Sequence, residues 1–264
     1  PSWVSVMTAA GAYRGVPFAG FSATLGRADD KHLGDVWEEV VIRRDVIDGI
    51  RDGWLTDVKG KRVKIRGLNL KDVKRSHGDL AEEDLAEHLH NADAPVQAAQ
   101  AWRELASDRQ GIAFWPNVAT ALEGARAMND LGIVTEVVTG ATPIDARQAM
   151  YERVRLGSTQ VLSNCSVLTE GFDAPWMSAV LIARPTTSAG LYTQMVGRAL
   201  RPWRVPTRFG VKHDALIIDL VGASENNRLA TIADLSMTVH DVKQGETLAQ
   251  AQRREEKEES GSSF

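Results

Sequence analysis

Residues 159–204, TQVLSNCSVLTEGFDAPWMSAVLIARPTTSAGLYTQMVGRALRPWR, constrain this chain more than any other stretch. They read as strand, loop, strand, helix. The runs 159–164 and 178–183 are short, β-branched and apolar, the composition of parallel strands covered on both faces. A loop holding Glu170, Gly171, Asp173 and Pro175 joins them. Ser188 is placed to cap a helix in which Leu191, Met195 and Val196 lie near one face. The same helix is expected to carry Gln194, Arg198 and Arg201, whose spacings of four and three set them on one face off the apolar stripe. A glutamine and two guanidinium groups projecting together suit phosphate charge.

The two patterns in this stretch, LxEGFDxP and QxxGRxxR, resemble motifs V and VI of superfamily 2 helicases. Within that superfamily they look most like the RadD-like and type III restriction-like DEAD/DEAH-box group. GFSATLGR at residues 20–27 is similar to motif III, and GIAFW at residues 111–115 resembles motif IV. The resemblance spans residues 16–206. It implies an α/β fold: a RecA-like helicase lobe, a parallel sheet flanked by helices, preceded by the C-terminal remnant of a first RecA-like lobe. It implies ATP with Mg2+ as cofactor, DNA as partner, and roles residue by residue. Arg198 and Arg201 resemble arginine fingers, and Gln194 the glutamine that poises the phosphates and attacking water. Asp173, with Glu170 and Gly171, resembles the segment that meets the nucleotide or links to motif VI. Thr169 resembles a residue on the nucleic-acid side. Ser22, Ala23 and Thr24 resemble the segment coupling the ATP site to lobe movement, a task short hydroxyls suit because they exchange hydrogen bonds without large backbone motion.

One departure from the family pattern has large consequences. No GxxxxGK[ST] phosphate loop and no DEAD or DEAH box occurs in these 264 residues. The lysine that would reach the β/γ-phosphates and the carboxylates that would hold Mg2+ are absent from them. The expectation is therefore a C-terminal portion, beginning just after the box, with ATP·Mg2+ bound mainly by a missing N-terminal lobe. Taken alone, such a chain is expected not to hydrolyse ATP. RadD-like relatives often carry a cysteine-based zinc element, and the lone Cys165 can form neither that nor an internal disulfide.

The expected organisation runs as follows. Residues 1–57 finish the first lobe. Residues 58–94 form a basic segment and interlobe linker, residues 95–222 the second lobe, and residues 223–264 an extension with a frayed helix and disordered tail. In the basic segment, residues 59–75 hold eight basic residues against Asp72 alone. Alternation at residues 62–66 suggests a strand with one charged face. Lys61, Arg62 and Lys64 then either contact phosphate on the nucleic-acid path or form a solvated edge that discourages aggregation. His88 and His90 are two apart on a helical stretch and face different ways, which spoils shared metal ligation. From Pro95 the αβ alternation of a parallel sheet becomes regular. Asn117 should cap a helix that Gly132 closes, and Thr142 and Pro143 should start another. Thr139 and Thr142 could offer hydroxyl and amide groups to phosphate, or could simply build the turn.

A net charge of −4 argues against a uniformly basic DNA-coating protein but leaves room for a local basic groove. No apolar run approaches 18 residues, so membrane insertion is not indicated, and the cysteine usage fits a reducing cytoplasm. The competing class is a non-catalytic nucleic-acid-binding or regulatory half of a split helicase. An intact arginine pair speaks against it. A doubly wound nucleotide-sugar transferase shares the αβ rhythm but gives no reason for SAT together with QxxGRxxR.

Overall fold

The computed structural model describes residues 3–21, 37–76, 78–168, 172–223 and 229–261. The chain divides into two compact units, Pro1–Arg43 and Arg44–Phe264. The first holds helix α1 (Trp3–Ala9) and a 3-10 turn (Ala12–Arg14). Ser22, Ala23 and Thr24 lie outside the described residues.

The second unit begins with helix α2 (Val46–Arg51), started by a capping box in which Asp45 and Asp48 each accept the other's backbone N–H. Its centre is a six-stranded sheet. In chain order the strands are β1 (Val58–Asn69), β4 (Gly111–Phe114), β5 (Thr135–Val138), β6 (Val161–Asn164), β7 (Ala179–Ile182) and β8 (Ala215–Ala223), arranged β1-β8-β7-β4-β6-β5. Every neighbouring pair is parallel. Strands β4, β6 and β7 are buried at every position. That follows from their unbroken apolar runs, since parallel strands joined by crossover helices are covered on both faces.

Helices α3 (Glu82–Asn91), α4 (Ala94–Leu105) and α5 (Val118–Asp130) cover one face through Leu85, Leu89, Trp102, Ala121 and Met128. Helices α6 (Ile144–Arg155), α7 (Ala189–Gly197) and α8 (Leu248–Gly261) join α2 on the other through Val154, Tyr192, Val196, Leu248 and Ala251. Asn117 and Ser188 cap α5 and α7 as expected, accepting from the amides of Thr120 and Leu191. Thr142 does not cap α6. The cap position is Pro143, and the Thr142 hydroxyl turns back to accept from the Thr139 amide at 2.9 Å.

Two expectations about boundaries are corrected. Residues 58–94 are not a linker. β1 runs beside β8 with Val58 opposite Ala215 and Lys64 opposite Val221, so it is the sheet's edge strand. Aliphatic residues placed among the lysines, notably Ile65, Leu68 and Leu70, are buried and anchor it. A short hairpin, β2 (Arg75–Ser76) with β3 (Asp79–Leu80), then leads into α3. Asp79 accepts from the Thr187 amide at 2.7 Å, Glu82 pairs with Arg184 at 2.5 Å and Glu83 accepts from Asn117 at 2.9 Å. These contacts latch the region onto the loops after β7 and β4.

Nor is the C-terminal region a disordered tail as far as Gly261. Leu248 and Ala251 are fully buried, and the charge cluster is paired rather than repulsive. Arg254 meets Glu246 and Glu258, while Glu255 accepts from the amides of His240 and Asp241. No helix among the described residues is long and apolar enough to cross a membrane.

Candidate functional site: the junction of motifs V and VI

Helix α7 starts at the C-terminal edge of the sheet and runs back toward the edge where β7 and β8 begin. It ends at Gly197, sooner than spacing alone predicts. Arg198 occupies the cap position, and Arg201 lies beyond the helix. The closing bonds are of the tighter i→i−3 kind, Ala199 to Val196 and Leu200 to Gly197. Glycine weakens the helix at residue 197, and Pro202 disfavours helical geometry in the residue before it. The Leu200 carbonyl is instead taken by the Thr56 amide at 2.7 Å. A single helical face therefore does not carry Gln194, Arg198 and Arg201.

What brings the two arginines together is motif V. Nη1 of Arg198 donates to the Phe172 carbonyl at 3.1 Å, and Nη1 of Arg201 is ion-paired with Asp173. Adjacent residues of one loop thus anchor both guanidinium groups. Arg201 and Asp173 face solvent, with side chains 40% and 74% exposed, whereas Phe172 is buried against Tyr151 with ring centroids 4.5 Å apart. Gln194 is half-buried on α7. Thr169, Glu170 and Gly171 lie outside the described residues. Among the described residues no group of histidine, cysteine, aspartate and glutamate is arranged to hold a metal ion.

Residues 96–202 match the helicase conserved C-terminal domain. The chain is 31% identical over 257 residues to a candidate ATP-dependent helicase of Saccharomyces cerevisiae, IRC3, covering 92% of this chain and 36% of that protein. It is 36% identical over 202 residues to a candidate mitochondrial ATP-dependent helicase of Schizosaccharomyces pombe, covering 76% of this chain and 32% of that one. The chain carries a helicase conserved C-terminal domain, and its likeness is to the C-terminal portion of superfamily 2 helicases. It spans about a third of the length of these curated relatives. A fragment of a candidate HsdR subunit of a type I restriction enzyme from Vibrio vulnificus YJ016 shares the fold, with a TM-score of 0.55 at 22% identity over 74% of this chain and 37% of that one. That likeness is one of fold, a RecA-like parallel sheet flanked by helices.

The residues expected to meet nucleic acid are not gathered into one patch of this helicase domain. Lys61, Arg62 and Lys64 lie on β1, and Thr139 and Thr142 follow β5, at opposite margins of the sheet. Five inter-strand steps separate those margins, roughly 24 Å. The threonines also bond one another, and Arg147 donates to both of their carbonyls at 3.2 and 3.3 Å. Arg62 is exposed, but it also borders two clefts of about 260 Å³ each, both of which contain Asp219 of β8.

Sequence reasoning passed over the buried polar residues that support α7. Tyr192 on α7 donates its hydroxyl to Asp219 at 3.0 Å. A carboxylate in the midst of ALIIDLV was the available signal. Burial pushes Asp219 up to about 7, against the lowering effects of the Tyr192 hydrogen bond and Arg62. The sign follows from linkage. The folded chain holds this proton more tightly than the unfolded chain, so the associated stability is present below the ordinary value of 3.8 and is lost as pH rises through about 7. Melting temperatures compared at acidic and neutral pH should show that loss in the native chain. Asp219→Asn should flatten it over the same window; an unchanged slope would assign the loss to other groups.

Proposed function

We propose that this chain is the C-terminal part of an ATP-dependent DNA helicase or translocase. In this reading it supplies arginine fingers to an ATP site whose phosphate-binding half belongs to an N-terminal RecA-like lobe. The observation that carries the reading is the seating of Arg198 and Arg201 on consecutive residues of one loop, Phe172 and Asp173. Arg198 is oriented by a backbone carbonyl, which fixes its direction. Arg201 is oriented by an exposed carboxylate, which a phosphate oxygen of similar geometry can replace.

The residues present fit half of an ATP site: they offer cationic donors for phosphate. Bound ATP·Mg2+ would supply the phosphoryl group that passes to water. Arg198 and Arg201 would bear the charge that spreads onto the phosphate oxygens, Gln194 would orient the water, and Asp173 would hold Arg201 ready between turnovers. Glu170, Gly171 and Thr169 complete motif V in this reading. Opening and closing of the two lobes around the nucleotide would then step the protein along a strand. DNA rather than RNA is favoured by the RadD-like and restriction-like form of the motifs.

The test is an ATPase assay on this chain alone and on the chain joined to its N-terminal lobe, each with and without single- or double-stranded DNA or RNA. The chain alone should show no turnover, and the joined protein should hydrolyse ATP faster when DNA is added. Turnover by the chain alone would overturn the reading. A joined protein that binds DNA without hydrolysing ATP would make this half a clamp instead.

A further inference from the structure

Lys212 lies in the coil before β8, where no motif marks it. Its Nζ donates to three backbone carbonyls: Pro175 at 2.8 Å, Met177 at 2.7 Å and Arg201 at 2.7 Å. Pro175 closes motif V, and Met177 lies two residues past it. Arg201 closes motif VI. An ammonium group has three donors, one for each carbonyl, whereas a neutral amine has two. The same two segments meet a second time through their tryptophans. Trp176, between two of the Lys212 acceptors, packs edge-on against Trp203, two residues past the third, with centroids 5.9 Å apart at 67°. Both indole Nε1 atoms are buried without a hydrogen-bond partner among the described residues. The ring pair therefore contributes packing, and Lys212 contributes the polar connection.

We propose that Lys212 is a positioning residue: its ammonium, shared among three carbonyls, fixes the exit of motif V against the exit of motif VI and so sets where Arg198 and Arg201 stand relative to Asp173. The clamp rests on this geometry. Its bearing on phosphate chemistry rests on the reading of the arginines given above.

The charged surroundings make the clamp sensitive to protons. Arg201 faces Lys212 from the end of motif VI and carries Asp173 with it. Arg109, from the connection between α4 and β4, adds a second positive charge and is ion-paired to Asp214 at 2.6 Å, and His213 is the next residue in the chain. Burial, then the Arg201 and Arg109 guanidinium groups, push Lys212 down to about 7. Losing that proton removes one of the three donors, so the junction loosens as pH rises past neutrality.

The test uses this chain without nucleotide. The indole N–H resonances of Trp176 and Trp203 are assigned through tryptophan-to-phenylalanine variants and followed across the neutral range. In the native chain both should shift together with a midpoint near the value for Lys212. In Lys212→Arg the side chain stays charged, so the step should vanish and the low-pH positions persist. In Lys212→Met the high-pH positions should hold throughout. A step that survives in Lys212→Arg would overturn the proposal. So would Lys212→Met resonances that match the native low-pH positions. Should Lys212→Met fail to fold, Lys212→Arg alone decides.

A second arm uses the full-length enzyme. There Lys212→Met should lower kcat roughly 10–100-fold with KM for ATP little changed, as expected of misplaced catalytic groups, and Lys212→Arg should restore most of it. A normal kcat in Lys212→Met alongside the predicted indole behaviour would leave the clamp between the two segments standing but overturn its role in placing the arginines; the finger reading falls only if Arg198→Ala also keeps native turnover.

Discussion

Replacing Arg198 by alanine in the full-length enzyme is expected to cut nucleic-acid-stimulated ATP turnover by roughly 10³–10⁵, the range associated with losing an arginine finger. The expectation comes from how the side chain is held. Nη1 of Arg198 donates to a backbone carbonyl, that of Phe172, whose side chain is locked in the core. The guanidinium direction is thus set before any nucleotide arrives, and preorganised charge is what stabilises a phosphoryl-transfer transition state. Arg198→Lys should recover little, since an ammonium lacks the planar fork.

Arg201→Ala should be similarly severe, but its partner differs and so does the control. Asp173→Asn would release Arg201 while keeping the side-chain shape. If Asp173 only parks the guanidinium between turnovers, Asp173→Asn retains far more activity than Arg201→Ala. If both variants are equally dead, Asp173 contacts the nucleotide itself. Single-turnover hydrolysis separates these outcomes from changes in product release. Loss of turnover in Arg201→Ala should come with intact folding, because the Arg201 side chain is at the surface. An Arg198→Ala enzyme with native turnover would end the finger assignment.

The largest effect on stability is expected from Gly111→Ala. A Cβ at residue 111 would sit 2.0 Å from the Ala179 carbonyl oxygen and 2.7 Å from its carbon, with the Trp102 ring also 2.7 Å away. The oxygen belongs to β7, paired with β4 in the middle of the sheet, so neither strand can retreat without opening the ladder. Overpacking a core typically costs about 1–3 kcal/mol. Here the obstacle is backbone, and a loss above about 3 kcal/mol is expected. Denaturant unfolding should show a much lower midpoint or no folded baseline. The contrast is Gly140→Ala, where a Cβ would meet nothing within 4 Å. That change should stay within about 0.5 kcal/mol.

The αβ rhythm and both motifs were legible in the sequence because parallel strands leave unbroken apolar runs and phosphate chemistry needs particular residues. The edge strand β1 was legible only in part: alternation at residues 62–66 marks a strand, but its place in this sheet and its full length are not marked. Its lysines and arginines hide the three or four side chains that dock it, and its partner, β8, lies some 150 residues later, a pairing no local pattern encodes. Arg201 shows the same gap at smaller scale. Spacing assigned it to a helical face, whereas Gly197 and Pro202 end the helix and Asp173 supplies the orientation instead. Lys212 left no trace, because a lysine that binds three carbonyls looks like any other surface lysine until the chain is folded.

The pairing of β1 with β8 has a consequence for how such a lobe can be dissected. The conserved domain matched at residues 96–202 contains four of the six strands; the other two flank it on either side in the chain. A piece trimmed to those limits would leave Ala179–Ile182, an interior strand of alanine, valine, leucine and isoleucine, as a raw margin with its amides open to any passing chain. The autonomous folding unit of this helicase half is therefore wider than the stretch that evolution keeps most recognisable.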